Sequence, residues 1–358
     1  MYEAIATNLE HGNGYSGYRP GPTAYEEPVY PALVGLTYRV FGHSHRAVYV
    51  VQVLLALLSG YLVYRIGIIL LGSRFLSTLA VGMMAIYLPM IRSTMDVMTE
   101  ITFATLLALS IFLLLKALGS NNIGKFLICG LVTGATVLCR SITLVMPVAL
   151  FLMLLLYPRQ NKRVVISFIA FCLGMMVVIT PWTIRNYLAF HAFVPVVTKS
   201  NYVLWEGTYG EGGSVANTGG VPPFVQRFRD RHPTEIQEYR FFGHEVVRNV
   251  KSHPLRYIGL APIKFVRLWL GLLYGVTYKS LYVQAMVHLI LLVFAGLSIG
   301  VIKNRAPLAF ILLVLGVITL GHMATMSSVR FSIPLMPYVF LMALRGFSRF
   351  IPEWARAT

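Results

Sequence analysis

The chain has 358 residues, 57% hydrophobic and 12% charged, with 30 Lys and Arg against 13 Asp and Glu for a net charge of +17. A soluble domain is about half apolar and a quarter charged, so this composition excludes an ordinary water-soluble fold. The cation excess also fails as a nucleic-acid footprint, because the cations sit between apolar runs rather than on one polar surface.

Residues 1–10 have the pattern of a short amphipathic helix. Tyr2, Ile5, Ala6 and Leu9 share one face at i, i+3, i+4 and i+7, which suits a membrane interface. Gly12, Gly14, Gly17, Pro20, Gly21 and Pro22 then predict an irregular loop. The loop closes in a Pro-flanked acidic turn, Glu26-Glu27-Pro28-Val29-Tyr30-Pro31, and a second apolar stretch from Ala32 to Phe41 returns along the interface. Nine apolar runs follow that could cross a hydrocarbon core, which takes roughly 20 helical residues. They cover 47–71, 75–91, 101–118, 123–139, 142–157, 164–182, 281–302, 306–325 and 331–347.

The largest hydrophilic segment lies between the sixth and seventh runs. It opens with Pro181-Trp182-Thr183-Ile184-Arg185-Asn186-Tyr187 and passes a Gly-rich run from Gly207 to Gly220, which reads as a mobile lid or as simple disorder. A charged helix over 234–251 follows, ended by Pro254. The apolar segment Leu255 to Tyr274 carries Lys264 and Arg267, so it reads as an interfacial helix rather than a tenth span. The expected class is all-α, a polytopic transmembrane bundle. Its parts are a first extracytoplasmic loop (1–46), a six-span block (47–182), a long extracytoplasmic loop (183–280), and a three-span block with a short cytoplasmic tail (281–358).

Charge placement sets the orientation. With the N-terminus outside, the inner loops and tail hold Arg74, Lys116, Lys125, Arg159, Lys162, Arg163, Lys303, Arg305, Arg345, Arg349 and Arg356, and the outer short loops only Arg92, Arg140 and Arg330. Cytoplasmic loops retain cations in this way. The polar N-terminal segment and the long loop therefore face away from the cytoplasm, and the C-terminus faces it, in a cell membrane. Cys129, Cys139 and Cys172 all fall within spans and imply no disulfide framework.

Ionisable groups at or within a membrane are expensive and invite functional readings. Glu26 and Glu27 face outward on a rigid turn, where a carboxylate could orient or deprotonate an acceptor group; the competing reading is a solvated acidic turn. Asp96 and Glu100 stand four residues apart at the outer mouth of the third span, on one helical face, as base or metal ligand. The competing reading there is an N-terminal acid favoured by the helix dipole. Arg92, Arg140, Arg185, Lys199 and Arg330 gather on the same side, and guanidinium groups bind phosphate bidentately. Each could instead be a snorkelling boundary residue. Tyr30, Tyr202 and His322 complete the candidates as acceptor or loop contacts. The histidines show no HExxH or other tight metal spacing, and no Walker loop or GxSxG elbow appears. No cofactor is certain; a divalent metal stays open.

An ordered set of motifs resembles the glycosyltransferase C superfamily, in its branch of protein mannosyltransferase-like and lipid A aminoarabinose transferase-like enzymes. The set comprises Tyr2-Glu3-Ala4-Ile5-Ala6, Gly12-Asn13-Gly14-Tyr15-Ser16, Pro28-Val29-Tyr30-Pro31, Phe41-Gly42, Tyr87-Leu88-Pro89, Thr99-Glu100, Leu138-Cys139-Arg140, the Pro181–Tyr187 run and Arg330-Phe331-Ser332-Ile333-Pro334. The resemblance implies transfer of a sugar from a polyprenyl-phosphate donor to a lipid, glycan or protein acceptor at the outer membrane face, with inversion. An outward carboxylate would activate the acceptor hydroxyl and arginines would stabilise the departing phosphate. It also places a first transmembrane helix and a catalytic Asp ahead of the position matching Tyr2. The chain begins at Met1, so the expectation is a misassigned start or a truncated gene. Two other readings stand beside it: a transporter or flippase of a lipid-linked saccharide, and a truncated inactive family member.

Overall fold

The computed structural model describes residues 1–18, 21–120, 122–156, 161–209, 220–272, 279–300, 306–348 and 350. Among them there is no β-strand, only an isolated bridge between Ser16 and Pro22. The expected all-α class is what the structure has.

Helix α1 (Tyr2–Glu10) buries Ile5 and Ala6 and packs on α2 (Val29–Phe41), with Tyr2 edge-on to Tyr30 at 5.4 Å. The amphipathic face read from the sequence is thus used, against α2. Gly35 permits the approach, since a Cβ there would meet the Ala6 carbonyl at 3.0 Å.

The bundle begins with α3 (His45–Leu71), a 27-residue helix that ends at left-handed Gly72. Next come α4 (Arg74–Ile86), the short α5 (Leu88–Ser93) and α6 (Glu100–Leu118). Then follow α7 (Ile123–Val137), a 3-10 turn at Ser141–Val145, α8 (Met146–Leu156) and α9 (Asn161–Phe190). Of the nine expected spans, five are, among the described residues, helices long and apolar enough to cross a membrane: His45–Leu71, Glu100–Leu118, Val164–Phe190, Tyr282–Gly300 and Ala306–Ala324. The other four are shorter, and proline explains three of them. Tyr87 is extended ahead of Pro89 and splits α4 from α5; Pro147 and Pro337 each sit in a first helical turn whose preceding residues wind as 3-10. The fourth, α7, is 15 residues long and lies so close to α9 that a Cβ at Gly130 would stand 2.1 Å from the Phe171 carbonyl. Helix α6 is the most enclosed of the five, with 67% of its apolar window buried.

A second correction concerns α9, which runs through Pro181 to Phe190. The Pro181–Tyr187 run is therefore the end of a helix, and the polar segment starts after it. That segment holds α10 (Lys199–Thr208), α11 (Pro223–Arg229) and α12 (Glu235–Ser252), built around Trp205, Val225 and Phe242. Helix α12 starts with a capping box between Thr234 and Gln237 and stops before Pro254. Two short helices, α13 (Pro254–Gly259) and α14 (Ala261–Leu270), replace the single interfacial helix expected, and neither is long enough to span. Burial and the neighbouring Arg267 push the Lys264 ammonium down to about 8. Helices α15 (Lys279–Leu297) and α16 (Ala306–Ala324), a 3-10 turn at Val329–Leu335, and α17 (Met336–Phe347) complete the bundle. Most of the Gly-rich run, residues 210–219, lies outside the described residues, and the lid reading lies there with it.

Candidate functional site

The polar residues meet where helix starts and loops converge at one end of the bundle. Glu100 opens α6 and is buried, where the N-terminal end of the helix dipole favours its charge. Arg330, in the 3-10 turn before α17, grips it through Nε on Oε1 and through Nη2 on Oε2 at 3.1 Å. Arg140, just after α7, brings Nη2 to 3.6 Å from Oε1 of Glu100. The Arg140 guanidinium lies over the rings of Phe103 and Phe331, at 5.4 and 4.9 Å from their centres. Phe331 in turn stacks on His322 of α16 at 4.8 Å. The Nη1 of Arg140 is buried and donates to no acceptor in this arrangement. A buried donor without an acceptor costs about 1–3 kcal/mol.

The second cluster inverts the first. Lys199, at the start of α10, pairs with both Glu26 and Glu27 of the first loop, the latter at 2.9 Å. Glu27 also accepts from the Ser141 backbone N–H at 3.1 Å and from its hydroxyl at 2.8 Å. Burial works to raise the Glu27 carboxyl, but the Lys199 charge and these hydrogen bonds outweigh it and hold it below its ordinary range. Burial likewise works against the Lys199 charge, yet Glu27 and Glu26 hold its ammonium well above the usual lysine range. Tyr2 joins the clusters: Lys199 lies 5.7 Å from its ring centre, and its hydroxyl feels the charges of Lys199 and Arg140. Cys139 is fully buried beside Arg140, within electrostatic reach of Glu27, Glu100 and Lys199.

The structure thus brings Glu26, Glu27, Glu100, Arg140, Lys199 and Arg330 together, with His322 against the same aromatic stack. Tyr30 lies behind the site, its hydroxyl donating to Gln52 at 3.0 Å. Four other candidates stand elsewhere. Asp96 does not share a helical face with Glu100, because α6 begins at Glu100 and Asp96 is exposed in the preceding turn. Arg92 is exposed on α5. Arg185 holds the first loop to α9, donating to the carbonyls of Thr23 at 2.7 Å and Tyr15 at 3.1 Å. Tyr202 belongs to the small aromatic core of the polar segment and donates to Glu206 at 3.0 Å. Among the described residues no three His, Cys, Asp or Glu side chains gather as metal ligands, and Lys199 stands between the two neighbouring acids.

One residue was not anticipated. Glu235, in the first turn of α12, accepts from the Thr23 hydroxyl at 2.6 Å, the Ala24 N–H at 2.8 Å and the Thr198 hydroxyl at 2.6 Å. It fastens both segments that carry the Glu–Lys–Glu cluster. The available sequence signal was the capping box around it, which fixes Glu235 at a helix start but names no partner.

Residues 21–184 match the family model described as dolichyl-phosphate-mannose-protein mannosyltransferase. That match takes in under half of the chain and agrees with the resemblance to the glycosyltransferase C superfamily read from the motifs. No curated protein matches the chain. Among solved structures, the crystal structure of ArnT from Cupriavidus metallidurans bound to undecaprenyl phosphate is similar, with a TM-score of 0.44 and 13% identity, covering 98% of this chain and 72% of that one.

Proposed function

We propose, with the family match over residues 21–184 as premise, that the chain is a membrane glycosyltransferase that takes a sugar from a polyprenyl-phosphate donor and works at the extracytoplasmic face. The observation that carries the reading is the buried, unpartnered Nη1 of Arg140 beside a carboxylate already shared by two arginines. Two guanidinium groups on one carboxylate leave a net positive charge in a low-dielectric place, which a phosphate oxygen would satisfy.

In this reading the donor phosphate binds Arg140 and Arg330 and draws Lys199 toward it. Glu26, which Lys199 holds in the absence of donor, then becomes the base; Glu27, fixed by Ser141, positions it. The acceptor oxygen forms a bond to the anomeric carbon as the bond from that carbon to the phosphate oxygen breaks. The electron pair leaves on the phosphate, the acceptor proton passes to Glu26, and attack from the opposite face inverts the centre. The extracytoplasmic placement rests on the cation asymmetry of the loops.

The test uses the full chain in lipid nanodiscs with a radiolabelled polyprenyl-phosphate sugar. Release of free polyprenyl phosphate with sugar appearing on an acceptor is expected, and Arg140→Ala should weaken donor binding by roughly 10- to 150-fold, the worth of one charged hydrogen bond. Movement of the lipid across the bilayer with no sugar transferred would overturn the proposal.

A further inference from the structure

Outside the charged clusters, a cleft of about 1130 Å³ lies between the first loop and α11–α12. Ligand sites commonly enclose about 300–1,000 Å³, so it would take a molecule of several rings. Tyr18 and Tyr25 offer aromatic surface in its lining. Arg240, His191 and His232 supply donors, and Glu238 supplies an acceptor. Both histidines sit in the left-handed backbone region, at φ 48° and 51°. Among the described residues no other non-glycine does so, and both line this one cleft.

The wall chemistry narrows the occupant. A phosphate or other anion would face the carboxylates of Glu235 and Glu238 at the start of α12 as well as the cations Arg229 and Arg240. A lipid tail would have to desolvate the charged side chains of Arg229, Glu235, Glu238 and Arg240 that interrupt the apolar lining, and a peptide strand would need an open sheet edge, which the described residues do not offer here. A hydroxyl both donates and accepts, so a polyol matches mixed donors and acceptors flanked by rings. Glu235, which lines the cleft, is also the residue that fixes Thr23, Ala24 and Thr198. The next residues along each segment are Tyr25-Glu26-Glu27 and Lys199.

We propose that this cleft is the acceptor site and that the acceptor is a saccharide, held so that one hydroxyl reaches the Glu26–Lys199 pair. The inference rests on the transferase reading above and names its acceptor class.

The test measures binding to the full chain in nanodiscs by saturation-transfer NMR. The probes are neutral gluco-, manno- and galacto-configured tetrasaccharides, with an acidic tetrapeptide, inorganic phosphate and undecaprenyl phosphate measured in parallel. At least one tetrasaccharide should bind, and Arg240→Ala and His232→Gly should each weaken it about tenfold, close to one hydrogen bond, while undecaprenyl phosphate binding holds. Arg240 is exposed and glycine accepts the His232 backbone angle, so both variants should fold. Undecaprenyl phosphate binding without tetrasaccharide binding would overturn the cleft assignment and leave the transferase reading standing. The cleft assignment also falls if the variants bind a tetrasaccharide as well as the wild type does, or if the tetrapeptide or inorganic phosphate takes the cleft. Failure of undecaprenyl phosphate as well would overturn both.

Discussion

At one end of this bundle two charge clusters sit side by side with opposite signs. Glu100 is one carboxylate between two arginines, built from the starts of membrane helices and turns; Lys199 is one ammonium between two carboxylates, built from loops. The first carries a spare positive charge and an unpartnered donor, and suits a phosphate. The second carries a spare negative charge and suits a proton. Placed together they can stabilise a leaving anion and take up a proton from an attacking hydroxyl, which neither could do alone.

The comparison breaks most visibly at Lys199. Lys199→Met leaves two buried carboxylates side by side, and removing one partner of a buried ion pair costs about 3–5 kcal/mol. The melting temperature should fall sharply, and Lys199→Arg should recover most of it. Arg330→Ala acts on the other cluster. It leaves Glu100 with Arg140 alone, so the loss of thermal stability should be smaller than at Lys199, while donor binding weakens by roughly 10- to 150-fold.

The pH dependence belongs to the loop cluster. The Glu27 carboxyl is held below its ordinary value of 4.5, so its contribution is present above that pH and is lost as pH falls through the lowered value. The Lys199 ammonium is held above 10.5, so its contribution is present below that pH and is lost as pH rises through the raised value. Melting temperatures measured across pH should therefore show a plateau from about pH 5 to 10 with a falling acid limb, and Lys199→Met should flatten that limb. A smaller loss, about 1–3 kcal/mol, is expected for Glu235→Ala, because it strands three donors. Smallest of all, Asp96→Asn is expected to change stability by under about 0.5 kcal/mol and to leave transfer unaltered. A large loss of transfer there would restore Asp96 as a catalytic candidate.

Some of this arrangement can be read before folding. The face of α1, the stop of α12 before Pro254 and the gathering of Arg140 and Arg330 on one side all follow from periodicity, proline chemistry and loop charge. Asp96 was misplaced because four-residue spacing implies a shared face only inside a helix, and α6 starts at Glu100. Arg185 looked like a phosphate ligand, yet its donors go to the Thr23 and Tyr15 carbonyls, contacts that no spacing encodes. The Glu26–Lys199 pair joins residues 173 positions apart. Tyr2 was visible as one residue of a buried face, but not as the ring between two charge clusters.

The most direct test of the account is a structure of the full chain with a polyprenyl phosphate bound. The prediction is a phosphate oxygen within hydrogen-bond distance of Arg140 Nη1, with Arg330 shared between that phosphate and Glu100. A phosphate bound elsewhere, with Arg140 Nη1 still unpartnered, would contradict it.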